Sequence, residues 1–145
     1  MKGIVTRELV RRKAKELGLA EEVERILGLA EVLRLQPLEG TPSSVPFKLR
    51  LEGKSRTIFR LDPDYEGSGQ LAILFPLWRR KTAGNRVLET LRRELLDGLA
   101  PVRIDKGSAE EDIRLAVTKS NIDDIIGAIC TIYSEVRRDL SYQVQ

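Results

Sequence analysis

F-K-L-R-L-E-G-K-S-R-T-I-F-R-L-D-P-D-Y-E-G-S-G-Q-L-A-I-L-F-P-L-W-R-R-K, residues 47–81, is the stretch that decides the fold. Phe47, Leu49 and Leu51 alternate with Lys48, Arg50 and Glu52, so a strand here has one apolar and one charged face. Gly53-Lys54-Ser55 supplies a turn. Arg56 to Leu61 reads as a second strand, with Thr57, Phe59 and Leu61 opposite Arg56, Ile58 and Arg60. Asp62 to Gly69 is a loop of turn formers, and its Asp62, Asp64 and Glu66 lack the spacing of a calcium loop, so a solvated loop is expected. Gln70 to Leu77 is nearly continuous in apolar residues, which suits a central strand covered on both faces. Pro76 ends its regular pairing, and Trp78-Arg79-Arg80-Lys81 follow.

Working outward, Thr6 is an N-cap for a helix from Arg7 to Leu17, closed by Gly18. Ala20 to about Leu35 is a second helix with Val23, Ile26, Leu27, Ala30 and Leu33 as its apolar stripe. The run Arg11-Arg12-Lys13 with Lys15 reads as a solvated helix face rather than a phosphate contact. Gln36 to Pro46, with Pro37, Gly40, Pro42 and Pro46, is a connector. Downstream, Asn85 caps a helix to about Leu96. Pro101 to Asp105 and Ile113 to Thr118 are short strands, and Ser120 or Asn121 caps a last helix from Ile122 to about Leu140.

The order is α-α-β-β-β-α-β-β-α. One α+β domain over residues 1–145 follows, an antiparallel sheet of four to five strands backed by helices. Ile125, Ile129, Ile132, Val136 and Leu140 recur at spacings of three and four on the last helix. That stripe suits packing on the sheet and equally suits pairing with a second copy, so a homodimer or higher homo-oligomer through residues 122–140 is expected. Cys130 sits one position beyond Ile129 and is expected to be a buried, inert thiol.

Composition limits the chemistry. The chain has 145 residues, no histidine and one cysteine. Histidine-based hydrolysis and histidine zinc sites are excluded, and an internal disulfide is impossible. Thr82-Ala83-Gly84-Asn85 after Lys81 is not a phosphate-binding loop, because the upstream glycine spacing is missing. No catalytic residue, metal or cofactor is implied. No apolar run is long enough to span a bilayer and no secretory leader is evident, so a cytoplasmic location without membrane association is expected.

Charge is uneven. Residues 46–93 carry eleven basic residues against five acidic, a balance of +6, whereas Glu94 to the end carries six against ten, a balance of −4. A basic middle implies a polyanion partner. Cations that offset backbone charge, beside rings on which bases stack, suit single-stranded nucleic acid with little sequence preference. The candidates are Lys48, Arg50, Arg56, Arg60, Arg79, Arg80 and Lys81, with Trp78, Phe59, Phe75 and Tyr65 as stacking groups. Core packing is the favoured reading of Phe47, Phe59 and Phe75, whereas Trp78, the only tryptophan, stands among cations at a strand end.

Residues 45–81 with I-L-F-P-L-W-R-R-K from Ile73 to Lys81, the element order and the Ile-rich last helix resemble the ThermoDBP type of archaeal single-stranded DNA-binding protein. The resemblance implies a sheet backed by helices and an apolar DNA cleft edged by basic residues. It also implies C-terminal helices that help dimerise, in a chain from a thermophile. It assigns cleft roles to Phe75, Trp78, Arg79 and Arg80. DNA and RNA are not separated by this reading. The element order also resembles type III secretion chaperones, which bind protein segments as dimers. Those are usually acidic, and the basic middle here argues against a protein-binding module.

Overall fold

The computed structural model describes residues 4–41, 44–64, 69–76, 102–104 and 112–144, with the backbone alone at 102–104, 112, 139 and 141–144. Helix α1 (Arg7–Glu16) starts as its sequence requires: Thr6 is extended and its hydroxyl accepts the Leu9 N–H at 3.2 Å. It ends at Gly18, whose φ of 75° lets the Gly18 N–H reach the Lys15 carbonyl (3.2 Å) and the Leu19 N–H reach that of Ala14 (2.7 Å). Helix α2 (Ala20–Val32) closes with the same pair of bonds, Arg34 N–H to Glu31 and Leu35 N–H to Ala30. Here Arg34 takes the left-handed position at φ 58°, where a side chain is strained.

The connector does more than connect. Gln36–Pro37 form a two-residue strand, β1, on the edge of β2 (Val45–Leu51), with Gln36 opposite Lys48 and Pro37 opposite Phe47. The next strands are β3 (Lys54–Asp62), β4 (Ala72–Pro76), β5 (Val102–Ile104) and β6 (Asp112–Ala116). The sheet is antiparallel throughout, in the order β1-β2-β3-β4-β6-β5. Strands β2 and β3 each start two residues earlier than the sequence suggests. Pro46 lies inside β2, and its carbonyl accepts the Leu38 N–H at 2.9 Å. The hairpin between β2 and β3 turns on Glu52 (φ 49°) and Gly53 (φ 83°), so the turn is two residues long and Lys54 and Ser55 belong to the strand. The helix expected from Asn85 to Leu96 lies outside the described residues.

One irregularity resets the faces. Phe47 pairs with Phe59 but Lys48 pairs with Thr57, so Ile58 is an extra residue on β3. Before the bulge Arg60 lies on the same side as Pro46; after it Arg56 lies on the side of Leu49 and Thr57 on the side of Lys48. The expected grouping of Thr57 with Phe59, and of Arg56 with Arg60, is therefore reversed. Strict alternation cannot survive one inserted residue.

The last helix, α3 (Ile122–Val144), packs on β2 and β3 and touches α2. Ile125, Ile129, Ile132, Val136 and Leu140 are each at most 4% exposed within the single chain. They join one core cluster with Val23, Ile26, Phe47, Phe59, Leu61, Ile73, Phe75, Ile113 and Leu115. This corrects the dimer stripe: the sheet occupies it, and those five side chains have no surface left for a second copy. A fully buried side chain of this kind contributes about 1.5–3 kcal/mol. Cys130 is also corrected. It is exposed, because one residue beyond Ile129 turns about a quarter of the way round the helix to the outer face.

The start of α3 is tied down by polar contacts. The Asn121 amide accepts the Thr118 N–H (2.9 Å) and donates to the Ala116 carbonyl (2.9 Å), while the Thr118 hydroxyl accepts the Asn121 N–H (3.1 Å). Arg25 of α2 pairs with Asp123 at 2.8 Å, and Lys119 reaches the buried Glu22 at 3.6 Å. No helix among the described residues is long and apolar enough to cross a membrane.

Candidate nucleic-acid interface

Register sorts the paired residues of the sheet onto two faces. The helix-facing side holds Val45, Phe47 and Leu49 on β2, Leu61 and Phe59 on β3, Ile73 and Phe75 on β4, and Ile113 and Leu115 on β6. Phe47 and Phe59 stack with ring centroids 4.6 Å apart at 16°. The opposite side holds Pro46, Lys48 and Arg50; Arg60 and Thr57; Ala72 and Leu74; and Arg114 and Ala116. Arg60, Leu74 and Arg114 form one cross-strand row.

Register thus places five cations on the second face, with Arg103 of β5 opposite Arg114, and sequence reasoning had named three of them. Arg50 is exposed, while Lys48, Arg60 and Arg114 are half-buried. Among the described residues, no hydrogen bond or ion pair engages Lys48, Arg50 or Arg60, whereas Arg114 is engaged. Arg114 was missed because it stands far from the basic stretch. The signal was present in its alternation with Ile113 and Leu115, which puts it on the polar side of a strand.

Register places two acids on this face, Asp112, two residues before Arg114, and Asp62, two residues beyond Arg60. Asp62 is 9% exposed rather than solvated, and its Oδ1 accepts the Asp64 N–H at 3.0 Å. Asp64 in turn accepts the Gly69 N–H at 2.7 Å. Both carboxylates thus hold the loop's own backbone, and the described residues contain no cluster fit for a metal ion. Glu66 and Tyr65 lie outside the described residues.

Three members of the expected site are overturned. Arg56 is 7% exposed, engaged by other groups, and on the helix side because of the bulge. Phe59 and Phe75 are fully buried in the core, so neither can stack on a base. Both sit at positions paired with core residues, Phe59 with Phe47 and Phe75 with Ile113. Leu74 does face the cations, yet it is only 6% exposed. Thr57 and Ala72 on the same side are likewise buried, at 6% and 2% exposed. Trp78, Arg79, Arg80 and Lys81 lie outside the described residues, which end on this strand at Pro76.

The basic run of α1 is partly neutralised. Arg11 pairs with Glu24 at 2.9 Å, and this hydrogen bond holds its pKa above the ordinary guanidinium value. Arg7 pairs with Glu39, whose Oε2 also accepts the Arg7 backbone N–H at 2.5 Å; these bonds hold the Glu39 carboxyl below the usual range. Arg12 and Lys15 remain exposed. Compared with protein-family models, with curated proteins and with solved structures, the chain matches none.

Proposed function

We propose that this chain binds single-stranded DNA with little sequence preference, through the face of the sheet turned away from α3. The observation that carries the reading is the set of cations on that face: Lys48, Arg50 and Arg60 without carboxylate partners among the described residues, joined by Arg114. Unpaired cations on adjacent strands suit a polyanion backbone, whose neutralisation releases counterions. With Phe59 and Phe75 in the core, stacking falls to Trp78, and the basic Arg79, Arg80 and Lys81 beside it add to the cationic edge. Binding is then led by phosphate contacts, with stacking second. The same reading places the chain in the cytoplasm, where exposed single strands arise. A homodimer remains compatible with it only through surfaces other than the buried Ile125–Leu140 stripe.

The test is fluorescence anisotropy of a labelled thirty-base single strand, titrated at several salt concentrations with duplex of the same sequence as competitor. The expected result is single-strand binding well ahead of duplex, with log affinity falling linearly with log salt. Quenching of Trp78 on binding places the ring at the interface. A second titration with the RNA strand separates the two sugars. Absence of binding at low salt overturns the proposal.

A further inference from the structure

Among its described residues, the cationic face is most exposed along its β1–β2 edge. Gln36, Arg50 and Ser55 are exposed there and Lys48 is half-buried, whereas Pro46, Thr57, Ala72 and Leu74 further in are buried. Gln36 lies opposite Lys48. Continuing that register by one residue sets Leu35 level with Leu49, and both belong to the core on the α3 side. One residue further, Arg34 comes level with Arg50. Arg34 is exposed, and among the described residues no hydrogen bond or ion pair engages its side chain. Glu31 and Glu52, the acids nearest in sequence, are exposed and form no ion pair with either arginine.

Arg34 also holds a position that does not suit it. Helices α1 and α2 close with the same pair of backbone bonds, and α1 places Gly18 (φ 75°) where α2 places Arg34 (φ 58°). Glycine takes this conformation freely, while an arginine is strained in it. Strain kept at an exposed, unpaired cation points to use of the side chain rather than to a need of the fold. Like charges side by side are unfavourable by themselves and favour an anion that meets both.

We infer that Arg34 is a further binding residue, and that phosphates of the single strand are met along the β1–β2 edge by Arg34, Arg50 and Lys48. This rests on the proposed function and deepens it: the site gains a residue from the end of α2, and the strand lies at the edge of the sheet rather than over its buried middle. Arg50 and Lys48 stand about 7 Å apart along β2, two residues of about 3.3 Å each, with Arg34 beside Arg50.

The test uses the full chain and a labelled single strand of thirty thymidines, with the salt slope and urea unfolding measured for each variant. Arg34→Gln is expected to flatten the slope by about 0.7, the value of one phosphate contact on a single strand. Arg34→Gly should flatten it equally and raise the urea midpoint, so that binding and stability move in opposite directions. Arg34→Lys keeps the charge and should keep the slope. Arg12→Gln, the same loss of charge on exposed α1, should leave the slope unchanged. If the parent binds with a salt-dependent affinity and Arg34→Gln keeps the parent slope, the inference is overturned while the function stands. A parent slope with a lowered midpoint in Arg34→Gly overturns it too, since Arg34 then serves only the C-terminal carbonyls of α2. If Arg12→Gln flattens the slope as much as Arg34→Gln, the effect is one of net charge, and the inference is again overturned. If the parent itself does not bind, the functional reading has failed.

Discussion

The two faces of the sheet are built from alternate residues of the same strands, and they differ most in charge. On the α3 side Phe59, Leu61, Ile73, Phe75, Ile113 and Leu115 are all fully buried. One residue along in each strand, Arg60, Leu74 and Arg114 form a row whose arginines keep contact with water. A period of two therefore separates what holds the chain together from what can meet a charged partner. Neighbouring substitutions should give opposite phenotypes: loss of stability from one face, loss of binding from the other.

The largest expected effect is on the buried side. Phe59→Ala removes a ring stacked on Phe47 and should destabilise by about 3–5 kcal/mol, read by urea unfolding, with binding unchanged in the fraction that stays folded. A cost below about 1 kcal/mol would make Phe59 a surface ring and dissolve the distinction between faces. Arg56→Gln against Arg60→Gln comes next, and it tests the bulge directly. Arg56 is buried and engaged, so its loss should cost about 1–3 kcal/mol of stability. Arg60→Gln should leave unfolding within about 0.5 kcal/mol of the parent. Equal effects would return both arginines to one face. Trp78→Ala should weaken single-strand binding by about 1–3 kcal/mol with little change in salt slope, because stacking releases no counterions. A flattened slope instead would assign Trp78 a role in positioning the cations.

Smaller effects away from both faces give a baseline. Gly28 lies exposed within α2 with open space at its missing Cβ, so Gly28→Ala should stabilise by about 0.5–1 kcal/mol and leave binding alone. Glu39 carries a resolved carboxylate shift. Its lowered pKa means the Arg7 contacts add stability above the ordinary carboxylate range, and that stability is lost as pH falls through the lowered value. Glu39→Gln should flatten this acid limb by a few tenths of a kcal/mol, since the pair is solvent-exposed. A steeper limb in the variant would contradict the sign.

Much of the architecture was legible from local chemistry. The Thr6 cap, the Gly18 closure, the alternation of β2 and the antiparallel sheet backed by helices all follow from side chains acting on their own neighbourhood. What was not legible depended on distant partners. A bulge at Ile58 leaves no trace in composition, since Arg-Thr-Ile-Phe-Arg alternates acceptably in either register. The Ile125–Leu140 stripe announces that something apolar will cover it and does not say whether a sheet or a second subunit does. Arg114 looked ordinary because its meaning arises only when β6 is placed beside β4.

The most direct test of the cationic face is a comparison of single-strand binding by the parent and by the charge reversal Lys48→Glu with Arg60→Glu. Anisotropy at low salt reads affinity, and urea unfolding confirms equal stability. The account predicts that the reversed chain unfolds as the parent does and binds at least about tenfold more weakly, with a flatter salt slope. Equal stability with undiminished binding would contradict it, and would move the site off this face of the sheet.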